Sequence, residues 1–300
     1  MRIAHRYLTF ERNDYLLEIL QTNQIKINVT EKTYDEDLKS YSLEFFLYED
    51  EPNFAFKQNL VQHFTLLHQV TTEFSPEDFD KAEWFWFTVA PIGYPQPEGK
   101  FFETTYAIDN VCFKCEIGKR QKNPFRFKTE PKPGKSQFLG LHWVYDEMFV
   151  RDVAANIFRH ANVTGMRFSN PVVSKSHTPI ESIQQLHVDT VLSTGLVPDG
   201  LNVEICNKPH KEEKKDNAES SGEVDSPKNY CGQLKYNFPQ RGALTFDKNI
   251  FEGQPDFVKP YEWFGSGGSA SRPILVSKKV RNIILKEKFR GAFFAPVFLK

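Results

Sequence analysis

Four cysteines constrain the possible folds of this chain more than any other feature of its sequence. Cys112 and Cys115 have the C-x-x-C spacing of a metal-binding knuckle, whereas Cys206 and Cys231 stand singly on either side of a charged segment. If that segment is an insertion, "EIC" and "CGQL" make a second knuckle, and four thiolates complete the ligand set of a structural zinc ion. We predict one structural zinc. The alternatives are packed or metal-free cysteines and a redox pair at C-x-x-C.

The charged segment between the two single cysteines is predicted to be a mobile loop. Residues 207–229 contain five lysines, six acidic residues and almost no apolar side chain. Such a composition buries too little surface to offset the entropy lost on ordering. A long loop is tolerated here because closure entropy rises only logarithmically with length. Gly232, directly after Cys231, suits the positive φ of a tight turn around a metal.

Length and composition indicate a folded protein without membrane or secretory segments. The 300 residues are 40% hydrophobic and 26% charged, and no apolar run reaches the length of a transmembrane helix. The first residues lack the apolar segment of a secretory signal, and a few cysteines suit a reducing compartment. We expect a cytoplasmic protein, monomeric by default. The 28 phenylalanines predict a Phe-rich core.

Charge is divided unevenly along the chain. Residues 1–100 hold 17 acidic and 9 basic side chains, although the whole chain has a net charge of only −1. The stretch at 93–100 is rich in Pro and Gly and interrupts regular structure. We predict an acidic α/β lobe at 1–95 and an α+β domain at 96–300, which contains the charged loop.

Apolar patterning predicts an α+β fold in which a few helices pack on a mixed sheet. Helices are expected at 146–160, capped by Asp146, and at 277–288. The segments that contain them, "FVRDVAANIFRHANVTGMRFSNPVV" and "KVRNIILKEKFRGAFFAPVFL", share Val-Arg, then Gly, then Phe three residues on, then Pro and Val. In this alignment the second helix is about one turn shorter. The repeat predicts both helices on one shared sheet.

No sequence pattern of an enzyme is present. The chain has no G-x-S-x-G, H-E-x-x-H, Walker A or G-x-G-x-x-G motif, and its eight histidines are scattered. His187 and Asp189 would point to the same face of a strand. We expect no enzymatic activity, and an unrecognised enzyme is kept as an alternative.

A basic stretch at 114–135 supports a further alternative. Its lysines and arginines are interleaved with Phe125 and Phe127, a pattern that binds nucleic acid through phosphate contacts and stacked bases. The almost neutral charge of the whole chain argues against this use, because a nucleic-acid-binding domain is expected to be strongly basic. A zinc-ribbon-like nucleic-acid-binding protein is therefore the second choice.

Several motifs occur together in one order over roughly 90–300. They are "GYPQPE", the C-x-x-C followed by Gln121 and "NPFRFK", "LHWVYDEMFV", "QQLHV", a later "CG" and the terminal "ILVSKKVRNIILKEKFRGAFFAPV". Together they resemble the double-CXXCG motif proteins, which belong with the immunity proteins of bacterial polymorphic toxin systems. The family pattern makes the four cysteines the two knuckles. This chain departs from it because the second knuckle is split and no Gly directly follows Cys115.

The resemblance implies a cytoplasmic protein that binds and neutralises a cognate toxin domain. Acidic surfaces would complement a basic, nuclease-type toxin and speed its association. The candidate contact residues are three short acidic clusters of the predicted first lobe: Asp35, Glu36 and Asp37; Glu49, Asp50 and Glu51; and Glu77, Asp78 and Asp80. The expected partner is thus a protein, without a role for nucleic acid or a membrane.

Overall fold

The computed structural model describes residues 1–35, 38–92, 101–109, 111–112, 115–142, 144, 147–206, 231–265 and 270–300. It is α+β with mixed sheets and few helices, as predicted. The backbone divides into an N-terminal unit, Met1–Lys81 with Pro239–Ala243, and a large unit, Ala82–Phe238 with Leu244–Lys300. The predicted boundary at 95/96 and the predicted loop at 207–229 lie outside the described residues.

The N-terminal unit is built on an antiparallel sheet of order β2-β3-β1-β4. Its elements are β1 (Arg2–Thr9), α1 (Asp14–Thr22), β2 (Ile27–Asp35), β3 (Leu38–Tyr48), α2 (Phe54–Val61), β4 (Leu67–Glu73) and α3 (Pro76–Lys81). Asn13 caps α1, because its side chain accepts a hydrogen bond from the N–H of Leu16 at 2.9 Å. Leu16 and Leu20 of this helix pack with Phe45 of β3 in the core of the unit.

The large unit contains two five-stranded sheets of order β12-β14-β11-β10-β6 and β17-β21-β5-β20-β18, with smaller sheets β15-β16-β19, β13-β9 and β7-β8. Its elements are β5 (Trp84–Val89), β6 (Pro91–Ile92), α4 (Phe101–Thr105), β7 (Tyr106–Ala107), β8 (Arg120–Gln121), β9 (Arg126–Phe127), β10 (Phe138–Leu141), β11 (Met148–Arg151), α5 (Asp152–His160), β12 (Arg167–Ser169), β13 (Val172–Val173), β14 (Ile183–His187), β15 (Val203–Ile205), β16 (Leu234–Tyr236), β17 (Thr245–Phe246), a 3-10 helix (Lys248–Phe251), β18 (Phe257–Val258), β19 (Trp263–Phe264), β20 (Ile274–Ser277), α6 (Lys278–Lys286) and β21 (Ala292–Leu299). Within the described part of the chain, no helix combines the length and the apolar character needed to cross a membrane.

The two five-stranded sheets share one arrangement of strands, and one helix packs on each; this arrangement is called the frame. In the first repeat, formed by β10, β11, α5, β12 and β14, the strand β14 lies antiparallel between β11 and β12. In the second repeat, formed by β18, β20, α6, β21 and β5, the strand β5 lies antiparallel between β20 and β21. The prediction that both helices share one sheet is wrong, because α5 packs on β11 and β14 whereas α6 packs on β20 and β5.

The two helices are equivalent in length and in their ends. Each has nine residues, begins after an extended residue, Arg151 or Ser277, and is followed by a glycine with positive φ, Gly165 at +81° or Gly291 at +86°. The Val-Arg pairs of the two segments therefore do not correspond, and the expected one-turn difference is wrong. The predicted start of the first helix is also wrong, because the buried strand β11 precedes it; Asp146 lies outside the described residues.

The two repeats make reciprocal hydrogen bonds. The N–H of Thr164, just after the first helix, donates to a carboxylate oxygen of Asp256 at 3.0 Å. The N–H of the equivalent Arg290 donates to the side-chain oxygen of Gln137 at 2.7 Å. Asp256 and Gln137 each stand one residue before the first strand of a repeat. Each repeat thus accepts a hydrogen bond from the segment that follows the helix of the other repeat.

The glycines bring the repeats into close backbone contact. A Cβ on Gly165 would lie 2.3 Å from the carbonyl oxygen of Phe257, and one on Gly291 would lie 2.4 Å from that of Phe138. Only glycine combines this approach with the positive φ. The adjoining core is an aromatic cluster, which confirms the predicted Phe-rich core: Phe87, Phe138, Phe158, Phe257 and Phe289.

Candidate metal centre and the polar cleft beside it

The four cysteines of the large unit come together in one cluster. The Sγ atoms of Cys112 and Cys206 are 3.5 Å apart, as are those of Cys115 and Cys231. All four sulfurs lie within 4.8 Å of one another. Three of these side chains are buried and that of Cys231 is half-buried. The predicted convergence of the cysteines is therefore confirmed.

A tight turn positions the first two cysteines. The carbonyl oxygen of Cys112 accepts hydrogen bonds from the N–H groups of Cys115 at 3.2 Å and Glu116 at 2.7 Å. Glu116 has a φ of +61°. This is the position at which the resembled family has its glycine, and a non-glycine residue there stores of order 1 kcal/mol of backbone strain. The tight turn after Cys115 is thus formed with a glutamate at positive φ.

Strand pairing closes the second, split knuckle. The antiparallel strands β15 and β16 bring Cys206 to the same place as Cys231, although the chain between them is long. The N–H of Cys206 donates to the carbonyl of Gln233, and the N–H of Gly232 donates to the carbonyl of Cys206, both at 3.0 Å. Gly232 has a φ of +63°. The "CG" pair therefore forms the turn that its sequence predicts.

The cluster fits a tetrahedral metal ion. Zinc–sulfur bonds of about 2.3 Å place the sulfurs of a tetrahedron about 3.8 Å apart, close to the separations of the four cysteines. These separations are too long for a disulfide, and all four cysteines are free. Four cysteines at this distance are compatible with a structural metal.

Burial controls the ionisation of these thiols. Removal from water raises the pKa of Cys115 and of Cys206, and a hydrogen bond from the backbone of Ile117 works in the opposite direction at Cys115. Without metal, the thiols of Cys115 and Cys206 therefore keep their protons at neutral pH. A divalent cation would displace them, which makes metal binding pH-dependent. Ile117 and Trp263 pack around the sulfurs and limit their contact with water.

A polar cleft of about 380 Å³ adjoins the cysteine cluster. It shares Trp263 with the packing around the sulfurs, and Glu116 and Lys119 of the first knuckle line it. Lys119 is paired with Glu116 at 3.2 Å. The rest of the lining comes from β7, β8, β12, the end of β14 and several segments between strands, which supply Lys259 and Arg272 among others. The cleft therefore lies between the candidate metal centre and the middle strand of the first repeat.

A buried network of polar side chains reaches this cleft. Gln185 of β14 is fully buried, and its amide nitrogen donates to Gln121 at 2.8 Å and to Glu147 at 2.5 Å. Gln121 returns a hydrogen bond to Gln185 at 2.9 Å, and the hydroxyl of Tyr106 donates to Glu147 at 2.5 Å. Sequence reasoning did not identify this network as a site. Its only signal was a pair of glutamines inside the otherwise strand-like "IQQLH".

The pair predicted to share a strand face, His187 and Asp189, lines the cleft. Asp189 forms an ion pair with Arg167 at 2.6 Å, and His187 shares a hydrogen bond of 2.7 Å with the hydroxyl of Ser169. Burial, followed by the positive charges of Arg167 and Lys259, lowers the pKa of His187 to about 4. The imidazole is therefore neutral at pH 7.

The middle acidic cluster is largely neutralised within the N-terminal unit. Glu49 pairs with Arg241 and with His5, Asp50 with Arg2 at 2.8 Å, and Glu51 with Lys57 at 2.9 Å. The hydrogen bond from His5 and those from Arg241 lower the pKa of Glu49. These carboxylates therefore stabilise their own unit, and their contact with a partner stays a prediction.

The other two acidic clusters differ in what can be described. The side chains of Asp35, Glu36 and Asp37 lie outside the described part of the structure. Asp78 accepts hydrogen bonds from the backbone of Ser75 and pairs with the N-terminus at 2.7 Å. Glu77 and Asp80 are exposed on α3. The contact of this cluster with a partner stays a prediction.

The basic stretch does not offer the aromatic faces that nucleic-acid stacking needs. Phe125 and Phe127 are fully buried, and both pack on Phe149 in the core of the large unit. Bases cannot stack on rings that are covered in this way. The interleaving of Phe with basic residues therefore reflects a buried strand, β9, with polar neighbours.

Residues of several of the motifs that carry the family resemblance meet in the described part of the structure. The two knuckles form the cysteine cluster, and Gln121, which follows the first knuckle, forms the network beside it with Glu147 and Gln185 of two further motifs. Comparison with known proteins adds no family to this picture. No protein-family model matches the chain, and no curated protein matches it.

Proposed function

We propose that this protein is a cytoplasmic immunity protein that binds and neutralises the domain of a secreted polymorphic toxin. The observation that supports the proposal is the convergence of residues that carry the resemblance to the double-CXXCG motif proteins. Residues distant in sequence, from Cys112 to Cys231, meet in one cysteine cluster with the Gln121–Gln185–Glu147 network next to it.

We further propose that the cysteine cluster holds one zinc ion with a structural role. Four thiolates around one ion leave no coordination position for a substrate or a water, which is typical of structural rather than catalytic zinc. A tetrahedral set of four sulfurs also suits iron. Metal analysis of the chain purified without chelator distinguishes the two, and we expect about one zinc per chain.

The proposed metal would support binding by holding three separate segments of the large unit together. The cysteines come from the knuckle before β8, from the end of β15 and from the start of the chain leading to β16. A partner-binding protein needs a rigid, complementary surface rather than reactive groups. The metal supplies such rigidity where the sheets are small.

The experiment that tests the function is co-expression with a toxin domain encoded by the neighbouring gene. We expect the chain to restore growth of cells that produce this toxin domain and to co-purify with it as a stable complex. A toxin domain from a different system is the specificity control, and growth should not be restored in its presence. Failure both to restore growth and to form a complex with the neighbouring toxin would refute the proposal.

A further inference from the structure

We infer that the polar cleft beside the cysteine cluster is a binding site for a small polyanion, a compact molecule with several phosphate or carboxylate oxygens. The inference concerns the large unit alone and does not depend on toxin binding. It stands on the charges that line the cleft, on their pairing and on the size of the cleft.

The lining of the cleft is predominantly basic. Five cationic side chains face three carboxylates there, and His187 adds no charge at pH 7. The carboxylates belong to Glu116, Glu147 and Asp189. Positive charge inside a concave, partly desolvated surface raises the local concentration of anions more than the same charge on a convex surface.

Two of the cations are available to a ligand. Lys119 and Arg167 are already paired with Glu116 and Asp189. Arg120 and Lys259 have no carboxylate within ion-pair distance among the residues that the structure describes. Unpaired cations at a cleft attract an anion without first breaking an internal ion pair.

A third cation is held in place and partly desolvated. The guanidinium of Arg272 lies over the ring of Trp263 at 4.1 Å, and its Nε donates to the carbonyl of Tyr261 at 3.0 Å. Burial lowers the pKa of Arg272. A fixed guanidinium that has lost part of its water gains more from a bound oxyanion than a mobile, fully hydrated lysine does.

One of the three carboxylates of the lining is already satisfied by hydrogen bonds. Both carboxylate oxygens of Glu147 accept hydrogen bonds, one from Tyr106 and one from Gln185. The network therefore offsets a half-buried carboxylate that would otherwise repel an anion. Its other polar atoms are engaged with one another, which leaves the basic residues to select the ligand.

The cleft volume, about 380 Å³, lies in the range of small-molecule sites. Such sites are usually lined mainly by apolar groups, whereas this cleft is lined mainly by charged and amide side chains. An uncharged or greasy molecule would therefore desolvate these groups without compensation. A compact, highly charged ligand is the class that the lining fits.

The test is calorimetric titration of the purified full chain with pyrophosphate and, separately, with citrate. Both are small polyanions, and the two arms distinguish phosphate from carboxylate recognition. We expect saturable binding of at least one, weakened as salt is raised, because the interaction is electrostatic. Binding of neither ligand at low salt would overturn the inference.

Matched variants separate the cleft from general surface charge. Arg120→Ala combined with Lys259→Ala should lower the affinity for the polyanion by more than about tenfold, since two charge-assisted contacts are lost. Lys175→Ala combined with Lys286→Ala removes the same charge from exposed positions outside the cleft and should leave affinity within about twofold. Equal losses in both pairs would show non-specific attraction and overturn the inference. If the first pair does not fold, Arg120→Ala alone, at an exposed position, carries the test.

Discussion

The two repeats of the large unit have the same arrangement of strands and helix, but the middle strand is apolar in one and polar in the other. In the second repeat, β5 reads "WFWFTV" and supplies Trp86 and Phe87 to aromatic contacts. In the first repeat, β14 reads "IQQLH" and places Gln185 where β5 has Trp86. The strand registers show this equivalence, because Phe149 pairs with Gln185 and Leu275, at the matching position, pairs with Trp86.

This difference shows how one frame serves two purposes. The apolar middle strand builds a core, where burial of aromatic surface contributes most of the stability. The polar middle strand is buried as well, and it is tolerated only because Gln121 and Glu147 satisfy its amide. The repeat with the polar strand is also the one that lines the polar cleft. We therefore expect functional residues in the first repeat, where a polar strand takes the place of apolar core packing.

The largest predicted effect concerns the proposed metal beside the polar repeat. Cys112→Ser should abolish stoichiometric zinc and lower the free energy of unfolding by more than about 4 kcal/mol, because the metal contributes to folding only with its full ligand set. Amide exchange should then rise in β14, next to the network, more than in β5. Zinc analysis and hydrogen-exchange mass spectrometry measure both. Ile117→Val is the control, and it should keep the zinc and cost about 1 kcal/mol. Full stability of Cys112→Ser without zinc would mean that the cysteines are only core residues.

The second prediction tests whether the frame is equally demanding in both repeats. Gly165→Ala and Gly291→Ala should each lower the free energy of unfolding by about 3 kcal/mol or more, because the new Cβ meets a backbone carbonyl and φ is positive. Urea denaturation measures it. Gly134→Ala is the matched control, with a φ of +61° and no atom within 4 Å of its Cβ; it should cost about 1 kcal/mol. A small effect at only one of the two contact glycines would show that the two repeats are not equivalent at this contact.

The third prediction makes the polar middle strand resemble the apolar one. Gln185→Leu leaves Glu147 and Gln121 without their amide partner in a buried place, so the free energy of unfolding should fall by about 1–3 kcal/mol. A double-mutant cycle with Gln121→Leu sharpens the result. The double variant should lower the free energy of unfolding by less than the sum of the two single variants. The reason is that Gln121→Leu removes a group that Gln185→Leu alone leaves without a hydrogen-bond partner. Strict additivity would show that the network is not coupled.

The smallest prediction concerns the two junctions. Although burial opposes it, hydrogen bonds from Ser277, Thr164 and Lys279 lower the pKa of Asp256. A lowered folded-state pKa stabilises the protein above the unfolded value of about 3.9, and this contribution is lost as pH falls through the folded value. Asp256→Asn should therefore cost about 1 kcal/mol at pH 7 and flatten the acid dependence of stability.

The equivalent junction of the other repeat supplies the matched change. Gln137→Glu introduces a carboxylate that can accept from the N–H of Arg290. It should add a similar acid dependence below pH 5, because the new carboxylate is stabilised only when ionised. Thermal unfolding at a series of pH values measures both variants. An unchanged acid dependence in Asp256→Asn would show that this junction does not set it.

The sequence by itself predicted the α+β class, the Phe-rich core and the convergence of four cysteines, because these follow from composition, apolar patterning and ligand type. It also indicated a repeat, through a glycine and a phenylalanine at matching positions. The sequence alignment wrongly matched the Val-Arg pairs of the two segments. Two residues carry too little information to align the repeats, and the flanking strands that give the correct alignment are known only from the structure.

Only the tertiary structure decided what these parts do together. The pairing of β15 with β16 completes the cysteine cluster across a long sequence separation, and no local pattern specifies that pairing. The same holds for Gln185, whose burial is acceptable only because Gln121 and Glu147 arrive from distant segments. Local propensity is set by neighbours in the chain, whereas a buried polar contact is set by neighbours in space, and the latter exist only after the sheets have formed.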